Sequence, residues 1–542
     1  MKMVKSLLLG SAAGLVTIAG ASAADLPVKA KPVEYVRVCS LYGEGFWYVP
    51  GTDTCIKIGA YVRFQADYNA GNGGQPYGQG DFSDVDSGLG TRTDTSQGTL
   101  RYRGVLSIDL RTQTEYGTLR SYMDLGTQAS GVGRFGGAAS GLSTLGSIPT
   151  PATNANNFFN ESTDVSRAFI QFAGFTAGRI RSFFDINVLP GLDNSRISND
   201  TAAGGLVGAA YTAQLGNGIS ASLSFEDGGT LISGRGYYVT NANLGGTIGL
   251  SATQAGNATG GLALGGAQGS NDFHVISPVD PILALRIDQA WGYAQVAGAL
   301  HPDSAGYYGT SEVGTAPGSG TNAAGHPADA WGWAIDAGFT LTNFLGFRGD
   351  TFGVMGAYGK GAERYVNQSN GNSLLVGSGN RITSVGNIDA VYVNGSSLNL
   401  TTDWMIDASW DHVWNANWRT SVFGGVTGVQ YDATARAELC PAGTAPGAIG
   451  LNYSNATFNA GATCNPNYST FQVGTRTLWN PVPMLDIGVE VLYTEIDQKN
   501  TGSVTYAGAP GATLGALGNG VYNFANQGIW SGFFRIQRNF LY

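Results

Sequence analysis

Residues Leu100 to Leu125 read LRYRGVLSIDLRTQTEYGTLRSYMDL. Taken in steps of two, the first half separates into an apolar set, Leu100, Tyr102, Gly104, Leu106, Ile108 and Leu110, and a polar set, Arg101, Arg103, Ser107, Asp109 and Arg111. The chain turns at Thr114-Glu115-Tyr116-Gly117, and Leu119, Ser121, Met123 and Leu125 then alternate with Arg120, Tyr122 and Asp124. Successive side chains of a strand point to opposite faces, so this is a hairpin whose two faces meet different solvents. One face suits hydrocarbon and the other suits water.

The same two-residue period runs through the chain. It appears first over Cys55–Tyr68, where Ile56, Ile58, Val62 and Phe64 alternate with Lys57, Tyr61, Arg63 and Gln65. In Val165–Ala173 it sets Ala168, Ile170 and Phe172 against Arg167 and Gln171, and after Gly174 it predicts Gly178 and Ile180 outward with Arg179 and Arg181 inward. Further strands follow as pairs: Tyr211–Leu215 with Ile219–Glu226, Ile282–Gln289 with Tyr293–His301, and Trp331–Leu341 with Thr351–Gly359. Then come Trp404–Trp414 with Trp418–Tyr431, Tyr468–Trp479 with Leu485–Tyr493, and a last strand from Gly528. The pairs are joined by short turns such as Asn217-Gly218, a strong hairpin signal, and are separated by long Gly/Ser/Asn-rich loops.

About sixteen strands, an even number, with short and long connections in strict alternation, predict an all-β fold. It is an antiparallel transmembrane β-barrel with short periplasmic turns and long external loops. A soluble sandwich would have to bury these arginines in a packed core at a heavy cost. Trp291, Trp331, Trp404, Trp414, Trp418, Trp479 and Tyr493 lie beside the turns or strand ends, where interface girdles form.

Composition agrees. Charged residues are 12% of the 542, about half the usual ~25%. Mean hydropathy is only −0.03, because alternation dilutes every apolar residue with a polar neighbour. The formal net charge of −9 disfavours nucleic-acid binding. Residues 1–23 read as a signal peptide: Lys2 and Lys5, an apolar run from Leu7 to Ala19, and Ala21-Ser22-Ala23 as a cleavage site. No later run reaches the ~18 apolar residues of a transmembrane helix. Export to an oxidising compartment suits the four cysteines, for which three pairings are possible. The local pairs Cys39–Cys55 and Cys440–Cys464 are favoured, the first tying down an N-terminal arm over residues 24–54 ahead of a barrel over 55–542. The cysteines lack CxxC spacing and nearby histidine, so no metal site is read, and no cofactor.

EYVRVCSLYGEGFWYVPGTDTCIKIGAYVRF (Glu34–Phe64), RSFFDINVLPG (Arg181–Gly191), ALRIDQAWGYAQVAGALH (Ala284–His301) and GFFRIQRNF (Gly532–Phe540) resemble the general porins of alphaproteobacteria. The resemblance implies a homotrimeric, sixteen-stranded outer-membrane pore for small hydrophilic solutes and ions. It also implies a third external loop folded inside, here about residues 185–208, and a C-terminal strand read by the outer-membrane assembly machinery. Family members typically end on Phe. Here Leu541 and Tyr542 follow Phe540, and Tyr542 keeps the face of Phe534, Ile536 and Phe540.

The predicted inward positions of the first five strands are rich in bases: Lys57, Arg63, Arg101, Arg103, Arg111, Arg120, Arg167, Arg179 and Arg181. The third loop carries Asp185, Asp193 and Asp200. Acids facing bases across a gap give a transverse field that favours polar solutes over apolar ones. A tilted strand climbs roughly 2.4 Å per residue along the pore axis. That height puts Arg111 and Arg120 near the periplasmic turn and Arg63, Arg103, Arg179 and Arg181 near the middle, as the basic half of a constriction. An outer-membrane enzyme would need a nucleophile beside a base. Of His274, His301, His326 and His412, only His301 has a pore-side setting, and no serine accompanies it, so no catalytic residue is read. The rival readings are a substrate-specific channel, marked by saturable flux, and a surface barrel whose loops act in adhesion.

Overall fold

The computed structural model describes residues 37–68, 98–131, 159–186, 188, 205–228, 239–242, 279–308, 324–367, 374–378, 380–386, 388–440, 456–506 and 520–540. Sixteen of its strands form the barrel: β1 (Thr54–Tyr68), β2 (Gly98–Thr114), β3 (Gly117–Gly131), β4 (Phe159–Phe172), β5 (Phe175–Ile180), β6 (Leu206–Gly216), β7 (Ile219–Asp227), β8 (Val279–Gln289), β9 (Gly292–Asp303), β10 (Ala330–Thr342), β11 (Thr351–Lys360), β12 (Thr402–Val413), β13 (Trp418–Gln430), β14 (Tyr468–Trp479), β15 (Leu485–Gln498) and β16 (Gln527–Phe540). Each pairs antiparallel with its chain neighbour, and β16 closes on β1 with Arg63 opposite Gln537. Closure leaves no strand edge, as a spanning sheet requires in hydrocarbon.

Burial is inverted relative to a soluble protein. Val62, Leu283, Ile406 and Trp530 are more than half exposed on the outer face, whereas Gln65, Glu226, Asp280, Asp336 and Glu490 are buried on the inner one. The Leu100–Leu125 hairpin follows suit: Leu106 faces Leu125 outward while Arg111 faces Arg120 inward. The Asn217-Gly218 turn has positive φ at both residues, the type I′ geometry that matches strand twist.

The sequence placed one strand on the wrong parity. The Ala173-Gly174 turn pairs Phe172 with Phe175, so the register carries Phe175 and Ala177 along the outward set and sets Arg179 opposite Ala168 and Val207, with its guanidinium buried near Arg167. Thr176, Gly178 and Ile180 point inward. Ile180 is apolar because it packs with Leu206, Phe169 and Phe183 under the following loop, not because it meets lipid.

Both local disulfides are present, with Cα–Cα distances of 6.1 Å for Cys39–Cys55 and 5.9 Å for Cys440–Cys464. The first anchors an arm whose Trp47–Tyr48 pairs with Cys55 and Ile56. The long connections also build structure that alternation did not foretell. Leu374–Ser378, Arg381–Val385, Gly520–Phe524, Ser503–Tyr506 and Ala456–Phe458 form one sheet; Val239–Asn241, Ala390–Tyr392 and Asn399–Leu400 form another. Val391, Tyr431, Leu439, Tyr468, Ile496 and Ile529 make a buried cluster that joins these loops to the barrel rim.

On the periplasmic side, Asp350 ends the β10–β11 turn and accepts from Trp410 Nε1 (3.0 Å), His412 Nδ1 (2.7 Å) and the Val413 N–H (2.9 Å). Burial by itself lifts this carboxyl, but those donors outweigh it and hold it below the ordinary carboxylate range. A depressed carboxyl adds stability above its unfolded pKa of ~3.9 and loses it as pH falls through the folded value. Asp350→Asn is therefore expected to lower stability by about 1–3 kcal/mol at neutral pH. The gap from wild type should close below about pH 4, as checked by urea unfolding read from the mobility of folded barrel on cold gels.

Candidate pore constriction

The inward side chains of β16, β1, β2 and β3 form two rows. One runs Gln537, Arg63, Arg103, Gln128 and the next runs Arg535, Gln65, Arg101, with directly paired members in register. Gln537 Oε1 accepts from Arg63 Nε at 3.0 Å, Gln128 Oε1 from Arg101 at 2.5 Å, and Gln65 Oε1 from Arg535 at 3.0 and 2.5 Å. A neutral acceptor fixes a guanidinium's direction without cancelling its charge, and Arg63 sits directly opposite Arg103. Arg535 was overlooked in the sequence, although it keeps inward parity with Phe533 and Gln537 in the terminal strand. Arg476, inward on β14 beside Ser421 and Asp411, was overlooked likewise.

Lower down, Asp109 accepts fork-like pairs from both Arg111 (3.0 and 2.7 Å) and Arg120 (3.0 and 3.0 Å). The arm covers this region: Phe46 lies under Lys57 at 5.8 Å and under Arg111 at 4.9 Å. Arg111 and Arg120 face each other three residues from the Thr114–Gly117 turn. Arg167 points inward opposite Asp124 and donates to the Ser166 carbonyl at 2.7 Å.

Halfway round a sixteen-strand ring from these rows stands the wall from β7 to β12. It carries the described start of the third loop. Glu226 accepts from the Phe183 N–H (2.8 Å), Gln295 Nε2 donates to the Phe183 and Phe184 carbonyls (3.2 and 3.4 Å), and Ser409 Oγ donates to the Val188 carbonyl. Phe184, Ile186 and Val188 pack with Ala284, Ala297, Ala299, Ala334, Met355 and Met405. Those inward alanines leave the depth in which a loop can lie. Gly353 has the same purpose, since a Cβ there would stand 2.6 Å from Val188 Cβ. Small apolar residues at inward positions were the overlooked sign of where the loop seats.

Arg181 and Asp185, expected on opposite sides of the gap, are partners at 3.7 Å within this segment, with the Asp185 side chain fully buried. A four-residue spacing in one strap brings them together. Asp193 and Asp200 lie outside the described residues. Beneath and beside the loop the wall is acidic: Glu226, Asp280, Asp336, Asp403 and Asp407 are all buried. Arg364 stands among them, donating to the Asp227 carbonyl at 2.9 Å and lying 3.8 Å from Asp280. Burial works against its charge, but the carboxylates of Asp280, Glu226 and Asp227 around it raise its pKa, so it stays cationic. Burial and the Asp280 charge raise the Tyr365 phenol, which remains a donor to Asp280 at 2.6 Å.

A hydrocarbon-fitting outer face around an inner face crowded with arginines and carboxylates defines a channel-type outer-membrane β-barrel. Comparison with known proteins agrees. The chain belongs to the porin subfamily, which it matches over residues 25–533. It is 35% identical to porin Omp2a of Brucella melitensis over 232 residues, 42% of this chain and 56% of that protein. Identity to porin Omp2b of Brucella suis is also 35%, over 42% of this chain and 54% of that one. The chain thus spans about half the length of these relatives. The outer membrane channel DcaP of Acinetobacter baumannii shares the fold, with a TM-score of 0.51 at 12% identity over 91% of this chain and 99% of that one. Family and barrel together make this an integral outer-membrane protein, and membership of a porin family implies a channel rather than an enzyme.

Proposed function

We propose that the protein is a general diffusion pore through which small hydrophilic solutes and ions pass without a binding step, and that its constriction carries a transverse field. One observation supports this above the rest: Arg63, held by the neutral Gln537 and set directly opposite Arg103, stands half a ring away from a loop seated on an acidic wall. A polar solute aligns in such a field, whereas an apolar one must displace ordered water from both walls. The pore works as a homotrimer. β5, with six residues, is too short for the ~9–11 that a spanning strand needs, and a neighbouring copy against that low wall removes the mismatch. Outer-membrane lipid surrounds the rest, and the C-terminal strand engages the assembly machinery.

Purified protein in planar bilayers is expected to give stepwise conductance without added ligand, with flux rising linearly in solute. Correctly folded barrels that give no steps would reject the pore. Saturable flux for one solute class would favour the substrate-specific alternative.

A further inference from the structure

At the external end of β9, a second group of side chains converges that the pore reading does not use. His301 and Asp303 point inward two residues apart, and Asp389 reaches them from the connection between β11 and β12. One ligand-type atom from each lies within 4.8 Å of the other two, and all three residues are buried. We propose that His301, Asp303 and Asp389 hold a first-row divalent metal ion of the zinc type, which clips that external connection to the inner wall.

Four features of the site point to a cation. His301 Nδ1 is 2.8 Å from Asp280 Oδ2, which fixes the ring and turns Nε2 toward Asp389 Oδ2 at 3.9 Å. A carboxylate behind the far nitrogen of a histidine is the usual support of a metal ligand. Asp280 is itself held by the Tyr365 hydroxyl, and Asp389 Oδ1 by the Glu363 N–H at 2.9 Å.

Asp303 is the second feature. Its side chain is fully buried, and neither carboxylate oxygen has a hydrogen bond of good geometry, the Gly332 backbone being a weak donor nearby. A buried carboxylate without such partners is costly unless a cation meets it. Third, the backbone makes room for it. A Cβ at Gly332 would stand 2.9 Å from Asp303 Oδ2, and one at Gly361, where φ is +62°, would stand 2.6 Å away. Fourth is the charge balance. Asp280, Asp303, Asp389 and Asp403 are all buried near one another, with Arg364 as the nearby guanidinium. A divalent ion is a fitting partner for that surplus of carboxyl groups.

The donor set chooses among ions. One imidazole nitrogen with two carboxylates suits Zn²⁺ and its neighbours at ~2.0–2.2 Å, with a fourth position for water. An all-oxygen cage for calcium or magnesium would have no use for the histidine. The ion would join β9 to residues 361–401, so its removal frees that connection from the external mouth.

The site stands independently of the pore reading and is tested on purified full-length protein stripped with chelator. Wild type should take up one Zn²⁺ per chain, and Co²⁺ should give the intense visible absorption of a four- or five-coordinate ion. Asp303→Asn, which keeps the side-chain shape, should weaken Co²⁺ binding at least ~100-fold, and Asp280→Asn, which acts through His301, about 10–100-fold. Asp407→Asn, an inward acid outside the group, should bind as wild type does. A wild-type Co²⁺ spectrum with only the pale bands of the aqueous ion overturns the proposal, whether or not the variants fold. Equal binding by wild type and folded Asp303→Asn overturns it too.

Discussion

Replacing Arg63 and Arg103 together by alanine is expected to move the reversal potential under a salt gradient toward cation preference, by about tenfold in the cation-to-anion permeability ratio at 0.1 M salt. Each guanidinium, at ~6 Å from a passing ion in water-like surroundings, contributes about 0.7 kcal/mol. Removing two favours cations and disfavours anions alike, roughly 2.8 kcal/mol in the ratio before screening. A Debye length of ~10 Å cuts this by about half, which leaves the tenfold figure. At 1 M salt, where that length is ~3 Å, the shift should shrink to about twofold. Single-channel recording at both salt concentrations checks the prediction. An unchanged reversal potential at 0.1 M would remove the arginine rows from the constriction. Arg111→Ala is a useful control, because its charge is already shared with Asp109 at the periplasmic mouth.

Phe184→Ala is expected to detach the start of the third loop. The ring is fully buried, its centroid 4.8 Å from that of Tyr365, and truncating a buried phenylalanine costs about 3–5 kcal/mol. The strap would keep the Glu226, Gln295 and Ser409 hydrogen bonds, each worth only about 0.5–1.5 kcal/mol net. The loop should then leave the wall for part of the time. Two measurements report it: a noisy open-channel current with brief closures, and protease cleavage within residues 181–186 at concentrations that leave wild type intact. Phe471→Ala, on the outward face of β14, should leave both unchanged. A quiet, protease-resistant Phe184→Ala channel would show that polar contacts alone seat the loop.

Most of the barrel is legible in the sequence, because a strand's period of two converts composition directly into faces. Lys57, Arg63, Arg101, Arg103, Arg111, Arg120 and Arg167 all fell on the inward face, and both disulfides joined the cysteines nearest in sequence. The failure at β5 has one cause. Ile180 is apolar for a reason outside its own strand, so polarity alone could not say whether it met lipid or the folded loop.

The constriction lies further from the reach of pattern. Alternation tells which side of the sheet a residue takes, not which wall it faces across the lumen. Arg63 and Glu226 become opposed only when sixteen strands close into a ring. Arg181 and Asp185 are partners because a strap turns, and Asp350 gathers Trp410 and His412 because two turns meet at the periplasmic rim. His301 and Asp303 announce themselves as neighbours in the chain, but Asp389 joins them through a loop that comes back over the barrel. Local period, turn chemistry and face polarity were written in the residues one after another, since each depends on near neighbours and solvent. Register at a loop-covered strand, opposition across the pore and the convergence on His301 depend on closure, a long-range constraint with no local signature.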